Sequence, residues 1–294
     1  MSSDGEFAPD HGTVIHRNEN YRGLSYGDLI SEWTNWLMGS NPDYYDGSDI
    51  LFLRGNVGYY NSRFSFYDRG DARRFNKKFP STPGNGIVIH EDTAVFIPVI
   101  TAQVNIGDYY SGARIEDENS IRRAIRQDLD GGGEMWATVC DLNDAKHPKD
   151  PNSPKYPTYR LVDNLKNYRV ESPLFKMLLS EQNPFRNIME VPKEPGIYDA
   201  ATGGYFVLLT DLTKDKKDKK YPYHYAIRFG AKGRGNYYTD AVYQITVVAP
   251  RATSVEDVSS KEHGPKDVYD WAKIPTKEEI FTGETKSVGI TPTF

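Results

Sequence analysis

The sequence predicts a mainly β protein, an antiparallel β-sandwich or jelly roll carrying two amphipathic helices. Three observations predict it. Short runs alternate between polar and apolar or aromatic residues, among them SRFSFY at 62–67 and YPYHYAIRF at 221–229, which is the pattern of strands with one buried face. Within 21–250 two stretches, about 25–38 and 117–130, place apolar residues at helical spacing. Long polar loops separate the runs, and no repeat of solenoid or propeller period occurs. The organisation expected is an N-terminal arm over 1–20, a sandwich domain over 21–250 and a C-terminal arm with one short helix over 251–294.

Residues 1–20 are polar and show no periodicity, so they read as an arm or a disordered tail. The first helix is the best-marked element of the chain. Ser25 and Asp28 form an S-x-x-D capping box. The serine hydroxyl can accept from a backbone N–H one turn on, and the carboxylate lies at the positive end of the helix dipole. Tyr26, Leu29, Ile30, Trp33, Trp36 and Leu37 then form one apolar face, and Gly39 and Pro42 end the helix. Two tryptophans on such a stripe are core anchors, or else an aromatic binding face; their spacing favours the core. Ile50 to Leu53 reads as a buried strand. Tyr26, Trp33, Trp36, Phe52 and Phe96 are the expected anchors of the core.

Further on, Ile87–Ile89 and Ala94–Val104 give two strands. Pro98 falls inside the second, so this strand should lie at an edge or carry a bulge. The second helix presents Ile121, Ala124, Ile125 and Leu129 on one face and is closed by three glycines. A strand follows to Cys140, then a proline-rich excursion from Asp141 to Pro157. Ser172–Leu179 favours a strand over a short helix. Strands are expected at Gly203–Leu209, Tyr221–Phe229 and Tyr237–Val248. A last short helix around Trp271 could dock through an apolar face.

Composition limits the function classes. The 294 residues carry a formal charge of −5, so no domain-wide basic field exists for nucleic acid. The 21 Tyr and 13 Phe suit sheet surfaces and wet interfaces. Cys140 is the only cysteine, so an internal disulfide is impossible and the residue reads as a buried thiol. The first residues lack an apolar stretch, which predicts a chain neither exported nor membrane-inserted on its own signals. Two basic clusters stand out: Arg69, Arg73, Arg74, Lys77 and Lys78, and the KDKKDKK run containing Lys216, Lys217, Lys219 and Lys220. Each reads as a solvated loop, the second as a hairpin tip that blocks edge aggregation, or alternatively as an interaction patch.

Six segments, in order, resemble a known family of largely uncharacterised bacterial proteins. Ser25-Tyr26-Gly27-Asp28 with Trp33 and Trp36 resembles its SYGEW…W-x-x-W opening, and ILFLRG at 50–55 its VWFLAG strand. Ala94 to Val99 is similar to its A-[IL]-F-F-P-[VI] strand, and Tyr168 to Phe175 to its Y-R-x-x-S-P-x-F segment. Gly204 to Leu209 and Tyr223 to Gly230 resemble its GYW-x-LL and G-x-H-x-I-x-F-G strands. The resemblance covers roughly 25–249 and implies a β-sandwich without a particular activity. Members of that family are typically exported and often contain cysteines. This chain departs on both counts, with no signal and no cysteine in the matching strands, which suits a chain made in the cytoplasm and built into a larger particle; related sequences in tailed phages, especially marine ones, would fit this.

No catalytic constellation is legible. The six histidines form no metal-binding spacing. His90-Glu91 beside His224 could make a metal or acid–base pair if their strands were adjacent, against the ordinary reading of hydrogen-bonded strand histidines. Glu116, Asp117 and Glu118 sit where a helix N-terminus wants negative charge. The resemblance to an exported family without an export signal, the Tyr-rich surface and the arms at both ends together imply a structural virion protein: a capsid decoration, or a head–tail or tail component. No catalytic residue, metal or cofactor is expected. Its partners would be other virion proteins or copies of itself, with no nucleic acid and no membrane. Arg69, Arg73, Arg74, Lys77, Lys78, Lys216, Lys217, Lys219, Lys220 and Trp271 are the candidate interaction residues. The alternatives are a glycan-binding sandwich for host or extracellular polysaccharide and, behind it, a jelly-roll hydrolase or lyase.

Overall fold

The computed structural model describes residues 6–7, 12–40, 44–46, 49–54, 87–130, 133–143, 158–181, 194–218, 220–232 and 238–251. The expected strand at 62–67, the cluster from Arg69 to Lys78, Lys219 and the helix around Trp271 lie outside them.

The protein is mainly β and sandwich-like. In chain order its elements are β1 (Glu6–Phe7), β2 (Thr13–Ile15), α1 (Tyr26–Ser40), β3 (Tyr44–Asp46), β4 (Ile50–Leu53), β5 (Ile87–His90), β6 (Ala94–Asn105), β7 (Tyr109–Tyr110), β8 (Ala113–Arg114), α2 (Glu118–Asp130), β9 (Glu134–Asp141), β10 (Thr158–Arg160), β11 (Arg169–Glu171), β12 (Phe175–Leu179), β13 (Gly196–Thr210), β14 (Tyr223–Lys232) and β15 (Tyr238–Val248), with a 3-10 turn at Leu165–Tyr168. One sheet has the order β1-β10-β9-β14-β15-β5. The other runs β11-β13-β6-β4-β3, with β12 and β2 also on β13. Most pairings are antiparallel, but β1–β10, β4–β6 and β5–β15 are parallel. Both sheets are therefore mixed rather than purely antiparallel.

Strand β13 is the axis of the second sheet. One edge pairs with β6 along its length. The other is filled end to end by β12 at Gly196–Ala200, β11 at Gly203–Tyr205 and β2 at Leu208–Thr210. Period-two alternation then sorts the apolar side chains into two layers. Leu51, Leu53, Val95, Ile97, Val207 and Leu209 face the main core with Val139, Tyr225, Ile227 and Phe229 of the other sheet. Ile50, Phe52, Ala94, Phe96, Phe206 and Leu208 face outward, where α1 covers them. A sheet covered on both faces explains why ILFL and AVFI are continuous apolar runs.

Helix α1 begins as its sequence dictates. Asp28 N donates to Ser25 Oγ at 3.2 Å, and Ser25 N donates to Asp28 Oδ2 at 2.9 Å, so the capping box is closed both ways. The helix continues through Gly39 to Ser40. Tyr26, Trp33, Trp36, Phe52 and Phe96 all lie in the cluster beneath it, none more than 6% exposed. Helix α2 packs its buried face of Ile121, Ala124, Ile125 and Leu129 on β6 and β13. Its entry is a second reciprocal cap, with Ser120 N donating to Asp117 Oδ1 at 2.7 Å and Asp117 N to Ser120 Oγ at 3.0 Å.

Two expectations need correction or sharpening. Part of the N-terminal stretch is built into the sandwich. Glu6–Phe7 pair with β10 and Thr13–Ile15 with β13. The reason is a short alternation hidden in polar sequence: Val14 packs on the main core and Ile15 on the α1 layer. Tyr26 holds this arrangement, its hydroxyl donating to Ile15 O at 2.6 Å and accepting from Leu208 N at 3.0 Å. Pro98 lies in a central strand, not at an edge. The register steps from Tyr205↔Ile100 to Phe206↔Pro98, so Val99 is an extra residue and the missing N–H falls at a bulge.

One carboxyl on α1 is strained electrostatically. Glu32 Oε2 is buried without a hydrogen-bond partner. Burial, with the Asp28 charge second, raises its pKa from 4.5 to about 7. Below the unfolded value both states are protonated and the group has no effect. Between the two values the unfolded chain releases a proton that the folded chain keeps, so stability falls as pH rises, and then stays reduced. The side chain is only half-buried, so screening limits the loss to about 2 kcal/mol. Glu32→Gln is expected to stabilise by about that amount in urea melts at about pH 8 and to be near neutral at about pH 4. Equal gains at both pH values would contradict the assignment.

Candidate functional site

A polar cluster lies at one end of the sandwich, where four segments meet: the end of β9, the chain after β13, the start of β14, and the turn between β5 and β6. Asp141 is the last residue of β9 and pairs directly across from Tyr225 of β14. Paired residues project from the same face of a sheet. Asp141 is 1% exposed and Tyr225 is fully buried.

Asp141 is held from two sides. Its Oδ1 accepts from Asn143 N at 2.9 Å and from Asn143 Nδ2 at 2.8 Å. Its Oδ2 accepts from Lys216 Nζ. The same ammonium lies 3.3 Å from Asp215 Oδ2. Burial works to lower the Lys216 pKa, but the two carboxylates more than offset it, and the net direction is upward. Tyr225 Oη has no hydrogen-bond partner. Burial above all, then the charges of Asp141 and Asp215, raise its pKa. The phenol therefore keeps its proton and remains a donor. Beside this pair, Glu91 accepts from Thr213 Oγ1 and from Tyr221 Oη, and Tyr223 Oη accepts from Lys220 N at 2.6 Å. The Tyr221 and Tyr223 rings meet edge to face at 5.3 Å.

This geometry corrects the expectation of a projecting hairpin tip. The first half of KDKKDKK is folded onto the sandwich by two turns, Lys214 N to Asp211 O and Lys216 N to Thr213 O, each 2.9 Å. Leu212 and Thr213 are buried. Lys216 turns inward because a buried carboxylate without a cation is far costlier than an ordered lysine. Lys217 and Lys220 are exposed, as expected of solvated charges. Lys216 and Asp141 were not separable from their charged neighbours in the sequence: no local pattern links positions 75 residues apart.

His90 and His224 do not come together. Their strands flank β15 on opposite sides, two strand spacings or about 10 Å apart. His90 Nδ1 is bonded to Ala249 O at 2.8 Å and His224 Nδ1 to Thr246 Oγ1 at 3.1 Å. Glu91 instead serves the tyrosine–threonine contacts above. Cys140 is half-buried on β9 rather than fully buried. Among the described residues no group of three or more His, Cys, Asp or Glu could hold a metal ion, and no helix is long and apolar enough to cross a membrane. No protein-family model, curated protein or solved structure matches this chain.

Proposed function

We propose that the chain is a structural protein of a tailed-phage virion, a capsid decoration or a head–tail or tail component, that works through protein–protein contacts. The observation that carries this reading is the placement of the N-terminal residues. Glu6–Phe7 add a strand to one sheet and Thr13–Ile15 a strand to the other. A segment that completes sheet edges within its own subunit has the chemistry to complete those of a neighbour, because main-chain hydrogen bonds supply the affinity and alternate side chains the register. The sandwich also displays large apolar residues on its surface: Val88 at 55%, Tyr109 at 67% and Ile197 at 44% exposed. The phage setting rests on the family resemblance at 25–249. Trp33 and Trp36, the aromatics a glycan platform would have used first, are buried under α1.

The test is co-purification. Density-gradient-purified virus particles from the source of this sequence should contain the chain at a fixed molar ratio to their other proteins. Its presence only in cell or medium fractions, together with binding on a glycan array, would overturn the proposal in favour of polysaccharide recognition.

A further inference from the structure

We propose that Lys216 and Asp141 join through an intramolecular amide bond, a covalent cross-link between the segment after β13 and the end of β9. This inference does not depend on the virion reading. It stands on the burial of the pair, a second carboxylate on the same nitrogen, and an unpartnered phenol beside them.

Burial separates this pair from the surface ion pairs of the chain. The side chains of Lys216 and Asp141 are 18% and 1% exposed, against 66% and 36% for Lys176 and Asp199 and 43% and 36% for Arg22 and Asp49. A hydrated ion pair has nothing to gain from condensation, since water stabilises both charges and drives hydrolysis. Around a buried pair water is scarce, so an amide once formed is shielded from the hydrolysis that would reverse it. The nitrogen is also held against the carboxyl by the fold, which replaces a bimolecular encounter with a positioned one.

The surrounding groups supply the proton chemistry. Asp215 Oδ2, 3.3 Å from Lys216 Nζ, is a base that can take a proton from the ammonium without being the carboxyl that reacts. Tyr225 directly faces Asp141 across the strand pair. Its hydroxyl is buried and donates to no group, Asp141 included, and the Asp141 charge acts on it, so it is a free donor within the field of the reacting carboxyl.

The step balances without any co-reactant. Lys216 Nζ passes a proton by way of Asp215 to Asp141, and its lone pair attacks Cγ of the neutral Asp141 carboxyl. The Nζ–Cγ bond forms, and the tetrahedral oxyanion keeps the donors already on Asp141 Oδ1, Asn143 N and Nδ2. One Cγ–Oδ bond then breaks, and that oxygen departs as water with two of the three protons that began on the ammonium. Asp215 is returned to its starting state. One carboxylate and one ammonium become one amide and one water, with no change in total charge and no oxidation. The ring so closed spans the 75 residue steps between the two positions and includes β10 to β13, so the bond ties both sheets at this end.

Intact mass spectrometry of the denatured full-length chain tests the inference. The expected mass is one water below that of the sequence. A proteolytic digest should contain a branched peptide joining the Asp141 segment to the Lys216 segment, with trypsin unable to cleave after Lys216. Lys216→Arg keeps the charge but cannot form this amide, and should restore the full mass; Asp141→Ala should do the same. A wild-type mass equal to that of the sequence overturns the inference, as does a water loss that persists in Lys216→Arg. Because the wild-type measurement decides, a variant that fails to fold does not leave the matter open.

Discussion

Trp33→Ala is expected to lower the free energy of unfolding by about 4 kcal/mol. The indole is 2% exposed and stands edge-on to Phe206 with ring centroids 5.7 Å apart. Phe206 in turn stacks on Phe96 at 5.3 Å. Removing the indole leaves a cavity at the centre of this aromatic layer, and rings locked by their neighbours cannot collapse into it. A second loss is polar. Trp33 Nε1 donates to Leu53 O at 2.9 Å in a buried environment, and alanine removes that bond at a cost of about 1 kcal/mol. Trp33→Phe separates the two, because it keeps most of the volume and loses only the donor. It should cost about 1–2 kcal/mol. Urea unfolding followed by far-UV circular dichroism measures both; the midpoint should move while the slope stays constant. A loss below about 1 kcal/mol for Trp33→Ala would mean that the indole is a surface platform.

What sequence reasoning could see depended on the range of the interaction. The Ser25–Asp28 box is local, and both its hydrogen bonds form. The α1 and α2 stripes are equally local, and their apolar faces are buried. Strand β2 was hidden because three residues carry too little periodicity, and its partner Leu208–Thr210 is nearly two hundred positions away. Pro98 showed that the strand had to depart from regularity, but a proline at an edge and one at a bulge leave the same mark in sequence. Lys216 shows the limit most clearly. A lysine in KDKKDKK looks like its neighbours, and Lys217 and Lys220 do face solvent. What draws Lys216 inward is one buried carboxylate on another strand, a tertiary fact that composition cannot carry. The three parallel pairings escaped for the same reason, since period two marks a strand but not the direction of its neighbour.

Gly204→Ala is the second change expected to be severe, at about 3 kcal/mol. Gly204 lies on β13 opposite Thr101, one residue before the register step at Tyr205/Phe206. A Cβ built there would stand 2.4 Å from Ile100 O, 2.8 Å from Phe206 Cε2 and 3.1 Å from Thr101 Cα. Two of those atoms are backbone of β6. They cannot rotate away, so the central pairing of the sheet must open, and the Val99 bulge beside it leaves little slack. Gly203, its neighbour, provides the control. A Cβ there would meet Ile125 Cγ2 at 2.5 Å, Glu171 Cγ at 3.1 Å and Leu129 Cδ1 at 3.5 Å. All three are side-chain atoms, those of Ile125 and Leu129 belonging to α2, and a small shift of the helix or of the Glu171 stem relieves them. Gly203→Ala should therefore cost about 1–2 kcal/mol, the lower part of the overpacking range. The order of the two variants in the same urea titration is the decisive quantity. If Gly203→Ala proved the costlier, the approach of α2 to β13 would limit stability more than the close contact of β13 with β6.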